Sequence, residues 1–208
     1  MSLLDVPTPP TLTKPRPHRM TVFEYEQLVS TGALEGQRVE LLDGEMIDMP
    51  PMSIPHAGLI MVACSVLGRV IPEGYCIRSQ SPFRVPGRSL PEPDVAVVPG
   101  RAEDYVTKQA TQAALTIEIC ISTEPIDRGV KPFLYAAAAV PEYWLIHVRG
   151  RTIEVFRSPM PDSTSATGYS YGEVKMIGLD GVIQPLFNPA ATIRVNELLP
   201  VSLADDPE

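Results

Sequence analysis

The chain has 208 residues, is 44% hydrophobic and 20% charged, and carries a formal net charge of −8. That length suits one domain with a sizeable core, and the acidic balance argues against a protein that coats nucleic acid by bulk electrostatics. No apolar run approaches the roughly 18 residues a membrane span needs, so no membrane association is expected. Cys64, Cys76 and Cys120 show no CxxC spacing and read as small buried apolar residues in a reducing compartment. The opening MSLLDVPTPP places Asp5 and prolines where a secretory signal would be basic and then apolar, which makes a cytoplasmic location the expectation.

Residues 1–19 hold five prolines and no periodic apolar pattern, so a disordered arm is expected there. Thr21 and Glu24 are spaced as a capping box and predict a short helix through about Val29. Residues 39–47, VELLDGEMI, predict a hairpin with Asp43 and Gly44 in the tight turn. After three prolines, the spacing of Leu59, Ile60, Val62, Ala63, Val66, Leu67 and Val70 predicts a helix over 56–70. Residues 74–85 read as extended, 94–98 as a short buried strand, and 99–113 as irregular with at most a helical turn. Leu115 to Ile121 predicts a strand, 127–139 a helix, and Tyr143 to Val148 and Thr152 to Arg157 two more strands. Residues 158–170, rich in Ser, Pro, Thr and Gly, predict a loop. A strand near Val182 and Ile183 and a short helix over 195–199 precede a flexible tail at 201–208. Strands interrupted by a crossover helix give a single α/β domain with a central mixed sheet flanked by helices.

Within this pattern Glu118 stands out as a lone carboxylate in an otherwise apolar strand. An unpaired charge buried in a strand is costly, so it usually serves a metal, a cation or a reaction. Asp94 shares the property, and Lys131 lies in the predicted crossover helix four residues after Asp127. Metal-assisted phosphodiester hydrolysis uses hard oxygen ligands for Mg2+ or Mn2+ and a nearby cation that orients water or offsets developing charge. Asp94, Glu118 and Lys131 supply such a set if the fold sets their strands side by side. Other readings are structural. Asp43 suits its turn; His56 suits a helix cap or a cleft wall. Glu40 has the option of pairing with Arg38 across its hairpin, and Tyr143 and Trp144 suit core packing.

The order and spacing of several segments make the chain resemble a known family. These are MTVFEYEQL at 20–28, RVELLDGEMIDMPP at 38–51, SIPHAGLI at 53–60 and PEPDVAVV at 91–98, followed by TIEICIST at 116–123, DRGVK at 127–131 and LYAAAAVPEYWLIHV at 134–148. Together they resemble the Uma2 family of restriction-endonuclease-like proteins, within the PD-(D/E)xK nuclease superfamily, over residues 20–200. The resemblance implies a restriction-endonuclease-like core and a metal-dependent endonuclease acting on DNA. It implies Asp94 and Glu118 as metal ligands with the main-chain carbonyl of Ile119, Glu40 as an accessory acid, and Mg2+ or Mn2+ as cofactor. Position 120, where the motif has its lysine, is Cys120; the resemblance implies that Lys131 takes that role from the following helix. Pro132 makes this placement depend on Lys131 lying at the start of the helix. A homodimer is a further implication. The alternative is a nuclease-fold binding or regulatory module whose chemistry has lapsed, and an RNA- or nucleotide-directed hydrolase would share the same residues.

Overall fold

A computed structural model of the chain describes residues 17–121 and 124–200; most of the expected arm and all of the tail lie outside these residues. A six-stranded mixed sheet organises the chain. Its strands are β3 (Tyr75–Ser79), β4 (Val95–Pro99), β5 (Leu115–Cys120), β6 (Glu142–His147), β7 (Thr152–Pro161) and β8 (Tyr169–Gly178), adjacent in that order. Only β5 and β6 run parallel. A parallel pair needs a crossover connection, and α3 (Glu124–Gly129) and α4 (Lys131–Ala137) provide it.

Strand alternation sorts the side chains of β5 between two cores. Leu115, Ile117 and Ile119 join Trp144 and Ile146 of β6 under α2 (Ile54–Gly68) and α5 (Val195–Leu198). Thr116, Glu118 and Cys120 alternate with them, and Cys120 joins Leu134 and Tyr135 of α4 in the second core. There a row of tilted aromatic rings runs Phe83–Tyr135–Tyr143–Phe156–Tyr171, with centroids 5.1–6.2 Å apart. Tyr143 and Trp144 are packing residues, each fully buried.

Two smaller units complete the fold. Helix α1 (Val22–Ser30) has the reciprocal capping box of Thr21 and Glu24. The hairpin of β1 (Val39–Leu42) and β2 (Glu45–Asp48) turns through Asp43 and Gly44, both at positive φ (47° and 78°). Strand β10 (Ile193–Arg194) pairs with β9 (Val182–Ile183) beside α5.

Two expectations are corrected. The loop predicted over 158–170 is shorter, 162–168: β7 continues to Pro161 and pairs with β8 from Tyr169 onward. Prolines are tolerated there because β6 stops pairing at Arg157, so beyond it β7 has a free side where no N–H is required. The single helix over 127–139 is two helices that break at Val130, whose φ and ψ are −122° and −54°. Pro132, lacking an N–H, falls in the first turn of α4, where that donor has no partner to lose.

Candidate active site

The site is built where β4 begins and β5 ends, beside α4. Val95 pairs with Ile117 and Ala96 with Thr116; extending this register by one residue sets Asp94 directly opposite Glu118. Opposite residues of an antiparallel pair share one face, with Cβ atoms roughly 4.5–5.5 Å apart. Two acids 24 positions apart in sequence are therefore cross-strand neighbours. Both are buried, Glu118 at 2% exposure and Asp94 at 7%.

Lys131 enters from above. The break at Val130 makes it the first residue of α4, and its side chain is 1% exposed. Its Nζ lies 3.0 Å from Glu118 Oε1, 3.2 Å from Glu40 Oε1 and 3.5 Å from Asp127 Oδ1. Three carboxylates thus match the three N–H donors of one ammonium. Glu40 arrives on β1, and Asp127 from α3, whose main-chain oxygen accepts a 2.7 Å hydrogen bond from Tyr143 Oη. The structure therefore brings Glu40, Asp94, Glu118, Ile119 and Lys131 around one hollow of about 130 Å³, together with Arg38, His56 and Asp127. Glu40 faces Lys131, while Arg38 donates to the Pro50 carbonyl at 2.9 Å.

Three further groups orient the acids. His56, in the first turn of α2, places Nε2 2.9 Å from Asp94 Oδ2. The same oxygen accepts the Ile119 N–H at 2.8 Å. Tyr135 Oη donates to Glu118 Oε1 at 2.5 Å. Of these, His56 as a cleft wall and Tyr135 as packing beside the site are legible in the sequence; their hydrogen bonds to the acids are not. Tyr135 and Asp127 gain their roles from helix packing, though the DRGVK spacing already sets Asp127 four residues before Lys131.

Electrostatics follow from the count of charges: four buried carboxylates surround one lysine. Burial works against the Lys131 ammonium, but Glu118, Glu40, Asp127 and Asp94 outweigh it and hold the amine protonated. Burial pushes Glu118 well above the ordinary carboxylate range; Lys131 opposes this, and Asp94, Asp127 and Glu40 add to it. Glu40 is raised by the same burial, again against the pull of Lys131. Excess negative charge of this kind is what a divalent cation offsets.

Among the described residues, no three His, Cys, Asp or Glu side chains form a ready-made metal shell. The donor chemistry nonetheless fits a hard cation. The contacts above use Asp94 Oδ2 and Glu118 Oε1, and they leave Asp94 Oδ1 and Glu118 Oε2 outside them. Magnesium is commonly held by one or two carboxylates and several waters, and needs no all-protein cage. At about 30 Å³ per water, the hollow has room for about four.

The sequence model of the Uma2 family, described as "Putative restriction endonuclease", matches residues 22–182. The chain belongs to the Uma2 family. Among solved structures, it is similar to a crystal structure of "a putative nuclease belonging to DUF820" from Anabaena variabilis ATCC 29413. The TM-score is 0.66 and the identity 18%, over 86% of this chain and 97% of that one. At that identity the likeness concerns the fold, which is the restriction-endonuclease-like α/β core with its central mixed sheet. No curated protein shows significant similarity to the chain. Among the described residues, no helix is long and apolar enough to cross a membrane.

Proposed function

We propose that the chain is a Mg2+- or Mn2+-dependent endonuclease that hydrolyses DNA phosphodiester bonds. Asp94, Glu118 and the main-chain carbonyl of Ile119 would hold the ion, which when bound would polarise the scissile phosphate and acidify a bound water. One observation supports this above all: Lys131 Nζ lies 3.0 Å from Glu118 although the two are 13 positions apart and position 120 is Cys120. The cation that the motif lacks two residues after Glu118 is supplied from the start of α4.

The protein's own groups divide the remaining work. His56 and the Ile119 N–H fix one oxygen of Asp94, which preserves its orientation. Tyr135 does the same for Glu118. Lys131, held protonated by its acids, presents a fixed positive charge at the hollow and stabilises negative charge developing on the phosphoryl oxygens. Glu40, 3.2 Å from the Lys131 Nζ, sets the position of that amine. Arg38, at the mouth, is exposed and suited to a backbone phosphate.

A second reading, a binding module whose chemistry has lapsed, is favoured by the enclosure of Lys131, whose exposure of 1% resembles that of a structural ion cluster. One experiment separates the two. Supercoiled plasmid and single-stranded DNA are incubated with the protein in Mg2+, Mn2+ or EDTA, alongside Asp94→Ala and Glu118→Ala. Metal-dependent cleavage lost in both variants supports the nuclease. DNA binding without cleavage under every condition supports the lapsed module.

A further inference from the structure

A second hollow, of about 430 Å³, adjoins the first and shares Arg38, Glu40 and Met49 with it. Its size falls within the roughly 300–1,000 Å³ of small-ligand pockets. Tyr25, Leu34 and Met49 give it apolar surface, Glu35 and Gln37 line it as well, and Glu92 supplies acceptor oxygens. Tyr25 is buried with its hydroxyl committed to the Val39 carbonyl at 2.7 Å, so the residue offers this hollow ring surface and no free donor. Glu40 gives Oε1 to Lys131, and its Oε2 is closed off from the surface, so Glu40 lends this hollow negative charge but no accessible acceptor. Glu92 is half-buried, and among the described residues its carboxylate enters no hydrogen bond or close ion pair.

Apolar surface from Tyr25, Leu34 and Met49 facing a carboxylate without donors suits a flat organic body with N–H donors on one edge. We propose that this hollow is a nucleobase subsite that takes one unpaired guanine of the substrate strand while the adjoining phosphate lies at Arg38. Resting on the nuclease reading, this adds a specificity determinant to it. Among the four DNA bases only guanine presents adjacent N–H donors on its Watson–Crick edge, from N1 and N2. An acceptor-only carboxylate matches that pair of donors, whereas cytosine and adenine set a ring acceptor against it and thymine a single N–H between two carbonyls. Because the Watson–Crick edge is engaged, the base must be out of its duplex, in single-stranded DNA or extruded. Arg38 stands on the rim of both hollows, so one guanidinium serves the phosphate that joins the base in one hollow to the scissile bond at the other. Burial together with the charge of Glu40 raises Glu92 above the ordinary carboxylate range, as expected for a carboxylate short of donors.

The test is fluorescence anisotropy with labelled single-stranded oligothymidylates carrying one central guanine, cytosine or adenine, in EDTA so that no cleavage intervenes. The guanine oligonucleotide should bind at least fivefold more tightly than the other two. Glu92→Leu should remove that preference without weakening the binding of plain oligothymidylate. Leu34→Trp, which fills the hollow and leaves its acids unsubstituted, should do the same. Equal binding of all three oligonucleotides by the wild type overturns the proposal, as does a guanine preference that survives both variants. A Glu92-dependent uptake of Mn2+ without guanine preference also overturns it, in favour of a cation site. Plasmid cleavage by the wild type in Mn2+ is read in parallel: cleavage without guanine preference removes the subsite alone, and absence of cleavage removes the nuclease reading beneath it.

Discussion

Replacing Lys131 by methionine keeps most of the side chain's volume and removes its charge. Each of the contacts at 3.0, 3.2 and 3.5 Å is worth about 5 kcal/mol of Coulomb attraction at an effective dielectric of about 20. Against that stands the cost of keeping the ammonium and its partners out of water, several kcal/mol per ion. The net loss on removing one member of a buried pair is about 3–5 kcal/mol, because the remaining charges stay buried and unpaired. For a domain of this size that corresponds to a fall in Tm of about 6–20 °C. The deficit should depend on pH. Glu118 and Glu40 already sit above their usual range, and Lys131 is the main influence holding them down. Without it they rise further, and a carboxyl that binds its proton more tightly folded than unfolded gains native stability as pH falls through its folded pKa. Urea denaturation of wild type and Lys131→Met at pH 7.5 and pH 5.5 should therefore show a large deficit that shrinks on acidification. A deficit under about 1 kcal/mol at pH 7.5, or one that grows at pH 5.5, would refute a charge-paired Lys131.

Tyr135→Phe removes the hydroxyl that donates to Glu118 and leaves the ring between Phe83 and Tyr143. It should cost about 1–3 kcal/mol in urea melts with an unchanged near-ultraviolet spectrum; no cost would mean that the hydroxyl does not hold the carboxylate. Gly44→Ala places a Cβ 2.8 Å from Arg19 Cβ and 3.0 Å from the Met20 carbonyl at φ +78°, in the turn of the hairpin that carries Glu40. A loss of about 2 kcal/mol or more is expected in the same assay, and a neutral result would show that the turn relaxes at no cost.

Glu118 was legible because a carboxylate in a strand buried at every position contradicts its neighbours, and that contradiction is written in the local sequence. Its pairing with Asp94 was not, since it depends on the β4–β5 register that only the assembled sheet defines. Lys131 lay between these cases. Pro132 allowed a helix start near Lys131 without fixing it, and whether the amine met the acids depended on the break at Val130 and on how α4 sits over β5. His56, Tyr135 and Asp127 came to the acids through packing between helices and sheet. Strand β8 escaped the apolar pattern because it is an edge strand. Exposed Val174 and Met176 interleave with Glu173 and Lys175, so neither face reads as buried. The extension of β7 was hidden by prolines that a paired central strand would not tolerate and a free side does.

The claim on which the rest stands is that Asp94 and Glu118 jointly hold a divalent ion beside Lys131, and Mn2+ binding followed by electron paramagnetic resonance measures it without reference to any substrate. Titration of the protein with Mn2+ should remove the free-ion signal up to a saturable equivalence point in the wild type. Asp94→Ala and Glu118→Ala, shown to be folded by circular dichroism, should each abolish that uptake. Undiminished Mn2+ uptake in the two folded variants would contradict the account.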